Sequence, residues 1–549
     1  MASKFLRHLL AFSLILLSSL LLVLSFPKFD LGFLAWVGIL PLLIAINGKN
    51  LRYGFFYCLV CGMVFFVGVF YWILAFPKFT LLQQILLALY LGSYFGVFGL
   101  MFNLVSTRWG MTPALFSTPF IWVSLEWVRS NLSFLALPWA LLGHSQYQYP
   151  TTIQIASVAG TYSISFLIVL VNAALASVIY PYLSKFSGQE IPPNLSLPEG
   201  GLTVPPVSKP ERRGFQIDKG RIALLATTAS LIIPALIYGH TIISQPIIGN
   251  KVKISLVQGN IEQVRKWDPK HARDIMQTYA ALTEEASKDQ PALIVWPETA
   301  TPGAINLNPK LQLELREIVK KAGTYLLLGS AQHQKFREKG AKKFEYVNSA
   351  FLVGPEAKMF KPQQYDKIRL FPFGEYLPYK GTIPWSSLKV SGSDNYVPGN
   401  KITIFEHPGF RFGVIICWEN AFPELVRQFV QKGAQFMVNI TNEAWFGQTA
   451  APYQLVGISV FRAVENRVFI VRCANTGVSC IIDPYGRILD RVKDENGQDI
   501  FIRGIMTGWI TPLDSKTIYT RYGDLLVWVA FLGAAIFLAA ALMKGLKKN

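Results

Sequence analysis

Residues 412–423 read FGVIICWENAFP, and this stretch decides how the second half of the chain folds. Residues 412–416 form an apolar run rich in β-branched side chains, which is typical of a strand buried on both faces. A helical pattern begins at Pro423 and continues to Gln431, since proline suits the first turn of a helix. The thiol of Cys417 is therefore expected at a tight turn between strand and helix. At such a turn the side chain is open to substrate, and backbone N–H groups can hold an oxyanion.

The same alternation of short strands and helices extends on both sides of this stretch, over residues 250–520. Such an alternation indicates an α/β layered domain. We expect strands at residues 253–257, 292–296, 325–328, 349–353, 402–405, 412–416, 436–440, 468–472 and 479–482. We expect helices at residues 271–287, 311–321, 423–431 and 452–467.

The composition of the whole chain differs from that of a water-soluble protein. Of its 549 residues, 52% are hydrophobic and only 15% are charged, whereas soluble proteins are about 25% charged. Residues 1–247 hold only 20 of the 85 charged side chains. Aromatic residues make up 13% of this non-periodic chain, which excludes a disordered or fibrous protein. The sequence therefore predicts a lipid-embedded first part followed by an aqueous domain.

Eight apolar stretches are long enough to cross a bilayer, for which about 20 residues are needed. We expect spans at residues 8–26, 31–47, 54–76, 80–105, 112–128, 153–184, 221–243 and 525–543. The first could also be a cleaved signal peptide, but no small-residue cleavage site precedes Phe26, so we interpret it as a retained helix. Residues 1–247 would then form a bundle of seven helical spans. A linker rich in proline and glycine, at residues 186–219, is expected to be flexible.

The distribution of basic residues predicts how the chain is oriented. With eight spans both termini lie on one side, and the short segments of that side hold fourteen Lys and Arg residues against three opposite. This bias places the termini in the cytoplasm and the 250–520 domain outside it. The net charge of +19 includes no dense basic run and no nucleic-acid module, so nucleic acid is not expected as a partner. No glycine-rich phosphate loop is present and the six histidines are scattered, so neither a nucleotide nor a metal cofactor is expected.

Two ionisable residues stand out within the predicted bundle. Glu126 and Arg129 are spaced to pair across one helical turn, and ionisable groups at membrane depth are costly unless paired or functional. They either orient the helix near the outer surface or contribute to an entrance for a substrate or its headgroup.

Four of the five cysteines admit a redox interpretation and a packing interpretation. Cys58 and Cys61 have redox spacing but lie inside an apolar span, which favours packing. Cys473 and Cys480 could form a disulfide outside the cytoplasm, although their strand context favours two buried thiols.

Three reactive side chains lie at the ends of predicted strands. Glu298 follows the strand at 292–296, Lys367 precedes the run LFPFGEY, and Cys417 ends the strand at 412–416. Each alone has a simpler interpretation: Glu298 could be a turn residue, Lys367 a solvated charge and Cys417 a core thiol. A thiol beside a positive charge or a base ionises more readily, so a carboxylate, a lysine and a cysteine together suffice for acyl transfer without histidine.

This order of residues resembles that of the nitrilase superfamily, whose members share an αββα sandwich and a Glu-Lys-Cys triad. Longer motifs, spread over nearly the whole chain, resemble the apolipoprotein N-acyltransferase family. They are Gln258-Gly259-Asn260 with Trp267, Lys367 with 370–376 (LFPFGEY), Ile416-Cys417-Trp418-Glu419, 442–447 (NEAWFG), Glu126-Trp127 and Pro138-Trp139. The layout of eight spans, with the domain between spans seven and eight, resembles this family too.

The resemblance implies a function and a set of roles. A fatty acyl group would pass from a membrane phospholipid to the N-terminal amine of the S-diacylglyceryl-cysteine of an apolipoprotein, as the last step of lipoprotein maturation. The reaction would be ping-pong and without cofactor, in the bacterial inner membrane. Cys417 would be the nucleophile that carries the acyl group as a thioester, Glu298 the general base, and Lys367 the positive group that stabilises the oxyanion.

The resemblance also implies supporting residues. Glu375 would be a second carboxylate that orients the site, and residues tied to substrate handling or pocket structure would be Trp267, Asn348, Trp418 and Glu419. Trp418 stands where tyrosine is common and Glu443 where aspartate is common, which puts the shape of the pocket in doubt. Trp445 and Phe446 would form a lid or membrane-dipping arm, or else pack in the core.

Two other functions use some of the same features. A membrane-tethered amidase or nitrilase with a water-soluble substrate would share the triad but would not need the polar motifs of the bundle. A transporter or scaffold with a binding domain would not need the triad. The motifs favour the acyltransferase over both.

Overall fold

The computed structural model describes residues 2–76, 79–186, 219–338, 341–356, 362–379, 382–383 and 396–546. Within these residues the chain forms a helical bundle, then an α/β domain, then one long helix that returns to the bundle. The linker predicted at 186–219 falls almost wholly on residues 187–218, which lie outside the described residues.

The long helices follow the continuously apolar stretches of the sequence. The helices of the described residues are α1 (Ala2–Leu24), α2 (Ala35–Gly38), α3 (Leu40–Ile46), α4 (Leu51–Val69), α5 (Leu81–Trp109), α6 (Met111–Asn131), α7 (Pro150–Ile153), α8 (Ala156–Ala159), α9 (Thr161–Phe186), α10 (Lys219–Ile243), α11 (Ala272–Ser287), α12 (Pro309–Ala322), α13 (Pro423–Gln431), α14 (Ala451–Asn466), α15 (Ile518–Tyr522) and α16 (Leu525–Leu546).

Five of these helices are long and apolar enough to cross a membrane, namely α4, α5, α9, α10 and α16. Two predicted spans are divided in the structure. The span at 31–47 becomes a 3-10 turn followed by α2 and α3, and the long helix of the span at 153–184 begins only at Thr161. The second division occurs because Gly160, with φ of +72°, ends α8 in a conformation that favours glycine. The count of eight spans remains a prediction.

Glycines allow α4 and α5 to pack against each other at short range. A Cβ on Gly99 would lie 2.2 Å from the carbonyl oxygen of Gly54, and a Cβ on Gly62 would lie 2.9 Å from the Cα of Gly92. Small residues at such a contact let two backbones approach, which is how helices associate in lipid. Cys58 is buried in the same contact as a free thiol.

Two six-stranded sheets form the α/β domain. Their strands, in chain order, are β1 (Val252–Gln258), β2 (Leu293–Val295), β3 (Tyr325–Glu338), β4 (Ala341–Val353), β5 (Gln363–Asp366), β6 (Ile404–His407), β7 (Phe410–Ile416), β8 (Phe436–Thr441), β9 (Phe469–Ala474), β10 (Cys480–Ile482), β11 (Ile488–Arg491) and β12 (Gly504–Ile510). The order is β12-β1-β2-β3-β4-β5 in the first sheet and β11-β10-β9-β8-β7-β6 in the second. Parallel strands β1-β2-β3 and β7-β8-β9 lie in the middle, with antiparallel strands outside them.

The sheets face each other and helices cover their outer faces. Leu256, Leu293 and Leu327 of the first sheet share one apolar core with Val414 and Val438 of the second. α11 and α12 pack on the outer face of the first sheet, around a separate core, and α13 and α14 pack against the second sheet. The α/β sandwich predicted from the sequence is confirmed.

Some strands differ from the predicted pattern. The predicted strand at 479–482 does not end the fold, because β12 returns to the first sheet and pairs antiparallel with β1. Gly504 and Gly508 interrupt the apolar pattern of β12, which is why its sequence does not indicate a strand. β5 and β11 are short and partly exposed, and they too were not predicted.

One helix of the sandwich joins it to the bundle. α14 is buried almost all round, since it packs on β9 and β10 as well as on α8 of the bundle. Gln454 on this helix uses all four of its hydrogen bonds for that contact. Its Oε1 accepts from the indoles of Trp72 (3.1 Å) and Trp139 (2.9 Å), and its Nε2 donates to the carbonyl oxygens of Pro27 (3.3 Å) and Val69 (3.1 Å). A buried amide with every group satisfied fixes how the bundle and the sandwich meet.

Candidate active site

Cys417 lies at the end of β7, where the chain turns sharply. Its φ is +57°, a left-handed conformation that costs a non-glycine residue energy, and a 3-10 turn follows it at once. The amide of Asn439 on the neighbouring strand β8 donates to the carbonyl oxygens of Ile415 (3.2 Å) and Cys417 (3.1 Å). The turn presents the half-buried thiol at the edge of the second sheet.

A carboxylate beneath the turn connects it to the segment that carries Lys367. Glu419 is fully buried, and its Oε2 accepts the N–H of Ile416 at 2.7 Å. Its Oε1 accepts the N–H groups of Ile368 at 2.7 Å and Arg369 at 2.9 Å, and the hydroxyl of Tyr365 donates to both oxygens. Glu419 thus holds the residue before Cys417 and the residue after Lys367 at fixed positions relative to each other.

Lys367 lies between two carboxylates. Its Nζ is 2.8 Å from Oε1 of Glu375 and 3.4 Å from Oε1 of Glu298, and all three side chains are largely buried. Nδ2 of Asn348 donates to the same two carboxylates, at 2.7 Å to Glu298 and 3.2 Å to Glu375. Oε2 of Glu375 accepts the N–H of Phe371 at 2.7 Å, which fixes the loop that follows Lys367. The cluster is ordered by hydrogen bonds on every member.

The charges of this cluster act on the Cys417 thiol. Burial raises the pKa of Cys417 to about 12; the negative charge of Glu298 adds to this and the positive charge of Lys367 opposes it. The pKa of Lys367 stands well above its ordinary value of 10.5. Burial alone would lower the pKa of this lysine, but the carboxylates of Glu375 and Glu298 outweigh that effect. At neutral pH the site therefore holds a protonated thiol and a charged lysine, so a base must take the thiol proton when the sulfur attacks.

Two residues for which the sequence predicted no role hold Glu298 in place. The N–H of Asn442 donates to Oε2 of Glu298 at 2.8 Å, and the buried Nζ of Lys266 donates to the carbonyl oxygen of Glu298 at 3.0 Å. Burial lowers the pKa of Lys266 to about 7. Asn442 belongs to the quoted NEAWFG run and Lys266 adjoins Trp267, so proximity to these motifs was the available signal.

A buried polar chain lies behind Cys417. Arg472 on β9 donates to the side chains of Asn439 and Glu443, and Asn439 in turn holds the Cys417 carbonyl. All three are fully buried. The sequence signal for these buried polar contacts was an arginine within the apolar stretch VFIVRCA, because a buried charge requires a partner.

The structure places the predicted aromatic residues in different settings. Trp418 is buried, and its Nε1 donates to the carbonyl oxygen of Arg369 at 2.7 Å. The Trp267 backbone lies in a 3-10 turn, and its side chain is outside the described part of the structure. Trp445 is 45% exposed, whereas its neighbour Phe446 is buried against the bundle. The ring centroids of Phe446 and Trp72 lie 5.2 Å apart. Phe446 therefore packs in the core, and Trp445 alone has the exposure that a lid or arm requires.

Glu126 and Arg129 do not form the predicted pair. Glu126 instead accepts the N–H of Leu142 at 2.8 Å, and Arg129 donates to the carbonyl oxygens of Leu137, at 3.1 Å, and Trp139, at 2.8 Å. Both satisfy backbone groups of the loop between α6 and α7, since that loop turns back into the bundle and its backbone is buried. Among the described residues there is no group of three His, Cys, Asp or Glu side chains arranged to hold a metal ion.

Comparison with known proteins identifies both parts of the chain. Residues 253–511 match the carbon-nitrogen hydrolase family, and residues 18–174 match the apolipoprotein N-acyltransferase N-terminal domain. An amidase of known structure from Nesterenkonia sp. is 19% identical, covers 50% of this chain and 94% of its own, and superposes with a TM-score of 0.35.

Full-length relatives share both parts in the same order. An apolipoprotein N-acyltransferase of Geobacter metallireducens is 34% identical over 534 residues, which cover 96% of this chain and 94% of the relative. The protein of that name from Chlorobaculum tepidum is 29% identical over 564 residues, which cover 97% of each chain. This chain therefore belongs to the apolipoprotein N-acyltransferase family.

Proposed function

We propose that this protein transfers a fatty acyl group from a membrane phospholipid to the N-terminal amine of the S-diacylglyceryl-cysteine of an apolipoprotein, through a thioester on Cys417. The observation that carries the proposal is the arrangement of Lys367 between Glu298 and Glu375, with their charges acting on a thiol at a left-handed turn. Membership in the family and the five apolar helices support a lipid substrate.

In the first half of the reaction Glu298 is the general base. It takes the proton of the Cys417 thiol as the sulfur attacks the ester carbonyl carbon of the phospholipid. The carbonyl oxygen becomes an oxyanion, which the charged Nζ of Lys367 stabilises. When the oxyanion collapses, the bond between the carbonyl carbon and the glycerol oxygen breaks. That oxygen takes the proton from Glu298, a lysophospholipid leaves, and the acyl group stays on Cys417 as a thioester.

In the second half the apolipoprotein amine attacks the thioester carbon. Glu298 takes a proton from the attacking nitrogen, and Lys367 again stabilises the oxyanion. The carbon–sulfur bond then breaks, the sulfur takes the proton from Glu298, and an amide leaves the site. Each half restores the charges of the site, so the same three residues serve both steps in a ping-pong sequence.

The connection between sandwich and bundle supports the lipid substrate. Gln454 and Phe446 fix the sandwich, which carries the thiol, against Trp72 and Trp139 of the bundle. A nucleophile fixed at the surface of its substrate gains from proximity. The side chains around Lys367 are largely buried, which limits the access of water that would otherwise hydrolyse the thioester.

We place the protein in the bacterial inner membrane, with both termini in the cytoplasm and the sandwich on the periplasmic side. The excess of Lys and Arg on the side of the termini supports this orientation. A cysteine introduced at the exposed residue Lys310 should react with a membrane-impermeant maleimide on intact inner-membrane vesicles only when the periplasmic face is outward. Equal labelling of vesicles with the cytoplasmic face outward would refute the orientation.

Intact-mass measurement tests the function directly. After incubation with phosphatidylethanolamine the wild type should gain one acyl chain and Cys417→Ala none, while Cys480→Ala, which removes a buried thiol of β10, should gain the chain normally. A lipopeptide with a free N-terminal amine should then discharge the acyl group, and the N-acetylated lipopeptide should not.

Two results would contradict the proposal. An adduct on Cys417→Ala would exclude this nucleophile. Discharge at the same rate without an amine would indicate a hydrolase, the activity expected of a membrane-tethered amidase.

A further inference from the structure

A polar groove lies where the end of α6 meets the loop that follows Lys367. Its volume is about 410 Å³, and one wall belongs to the bundle while the other belongs to the sandwich. Ser133 lies in the bundle wall, and Arg369, Tyr376, Tyr379 and Phe422 lie in the sandwich wall. The hydroxyls of Ser133 and Tyr379 lie 3.3 Å apart and join the two walls.

Among the described residues that line the groove, Arg369 carries a positive charge and none carries a negative charge. Arg369 is exposed, and its guanidinium carbon lies 5.1 Å from the centre of the Phe422 ring. Within the described residues that guanidinium has no hydrogen bond and no ion pair with a carboxylate. Tyr376 and Tyr379 belong to the same lining, and the Tyr379 hydroxyl lies beside that of Ser133. An arginine with free donors beside hydroxyl groups is suited to a phosphate oxygen.

The rim of the groove adds an apolar element. Leu132 and Leu135, in the turn after α6, are 44% and 37% exposed. They lie between lining residues of the groove at the end of an apolar helix bundle, so an anion bound there would have apolar surface beside it. A phosphate joined to hydrocarbon chains can contact both Arg369 and the exposed leucines, whereas a free phosphate can contact only Arg369.

The groove is connected to the candidate catalytic residues through short stretches of chain. Arg369 follows Lys367 by two residues, its N–H is held by Glu419, and its carbonyl oxygen accepts the indole N–H of Trp418 at 2.7 Å. Trp418 is the residue after Cys417. Glu419 and Trp418 therefore fix the backbone of Arg369 relative to Cys417. In a phospholipid the glycerol backbone alone separates the phosphate from the ester carbonyls.

We propose that this groove binds the phosphodiester of the acyl-donor phospholipid, with Arg369 as its cationic contact. This inference rests on the proposed function and adds to it a site that selects phosphate-bearing donors over neutral ones. The apolar rim at Leu132 and Leu135 receives the start of the hydrocarbon chains.

The test compares two donors with the same acyl chains, phosphatidylglycerol and diacylglycerol, each in detergent micelles. The rate of acyl-adduct formation on Cys417 is followed by intact mass for the wild type, Arg369→Gln and Arg369→Lys. Loss of one charge-assisted hydrogen bond should lower the ratio of the two rates, phosphatidylglycerol to diacylglycerol, by about 10- to 100-fold in Arg369→Gln. Arg369→Lys should recover part of that ratio because the charge remains.

A matched variant controls for the loss of a positive charge elsewhere. Arg411→Gln removes a half-exposed arginine that pairs with Asp514 outside the groove, and its rate ratio should equal that of the wild type. Inorganic phosphate should not inhibit the wild type, since it has no hydrocarbon to occupy the rim.

Three outcomes separate the possibilities. Equal loss of rate with both donors in Arg369→Gln would overturn the inference and assign Arg369 to positioning the loop that follows Lys367. Strong inhibition by inorganic phosphate would assign the groove to free phosphate instead. Failure of the wild type to form an adduct with either donor would refute the proposed function itself.

Discussion

The role of Glu419 gives the sharpest prediction about how the site is held together. Its two oxygens accept three backbone N–H groups, those of Ile416, Ile368 and Arg369, and the hydroxyl of Tyr365. In Glu419→Gln the side chain keeps its shape, but one oxygen becomes an NH₂ group that cannot accept. With the remaining oxygen toward Ile368 and Arg369, the N–H of Ile416 is left without an acceptor next to Cys417.

The expected cost follows from that geometry. Burial raises the pKa of Glu419 to about 7, so the comparison is made above about pH 8, where the carboxylate is ionised. There one charge-assisted hydrogen bond is lost and the others lose their charge, which together cost about 2–4 kcal/mol of the free energy of unfolding. For a domain of this size that corresponds to a fall in melting temperature of about 4–16 °C. Tyr365→Phe is the matched variant, because it removes a donor to the same carboxylate and leaves every backbone N–H paired. It should cost about 1 kcal/mol, or about 2–4 °C.

Melting in detergent, followed by tryptophan fluorescence, measures the stability, and the rate of the acyl adduct on Cys417 measures the geometry. We expect Glu419→Gln to lose rate as well as stability, since it releases the residue before Cys417 from the segment of Lys367. If Glu419→Gln melts within 2 °C of Tyr365→Phe and forms the adduct at the rate of that variant, the carboxylate does not hold the two segments together and the reasoning is wrong.

Three further predictions concern the thiol, the buried chain behind it and the connection to the bundle. Because the pKa of Cys417 is raised to about 12, the rate of its alkylation by iodoacetamide should rise about tenfold per pH unit from pH 7 to 10. In Lys367→Met the rate at each pH should be lower than in the wild type, because the charge that opposes the raised pKa is lost. A plateau below pH 9 would mean that the resting thiol is already ionised. A Cβ on Gly477 would lie 1.6 Å from Oε2 of the buried Glu443, so Gly477→Ala should destabilise the fold by about 1–3 kcal/mol and slow adduct formation. Gly303→Ala is the control, because a Cβ there would have no atom within 4 Å. In the same melting and mass assays it should change neither quantity. Gln454→Leu leaves two indole N–H groups without an acceptor and should lower the melting temperature by about 4–12 °C; a change under 2 °C would show that the bundle and sandwich are held by apolar contacts alone.

The sequence predicts well those features that depend on local pattern. The central strands of both sheets are continuous apolar runs, so they and the helices between them fall where the pattern indicates. Glu298 and Cys417 each follow a predicted strand, but those strands belong to different sheets, and Lys367 follows β5, which the pattern does not indicate. Their proximity therefore could not be expected from strand positions and was indicated by their motifs.

Features that depend on distant parts of the chain could not be predicted. β12 pairs with β1 across nearly the whole length of the aqueous domain, and its glycines interrupt the apolar pattern that would indicate a strand. Gln454 is an ordinary polar residue in a helical stretch until Trp72 and Trp139 are placed beside it. Glu126 and Arg129 have the spacing of an ion pair, but both form hydrogen bonds with backbone groups of the loop between α6 and α7, so the local rule did not predict their partners.

The burial of α14 on two sides has a consequence for how the protein is made. A helix that is buried on nearly every side needs both of its partners, so the sandwich alone would expose one face of α14 to water. During synthesis the chain emerges from its N-terminus, and α8 and the tryptophans of the bundle are complete well before α14 leaves the ribosome. The bundle thus provides a folding template for the sandwich, and the order of the two parts along the chain ensures that the template exists before the helix that needs it.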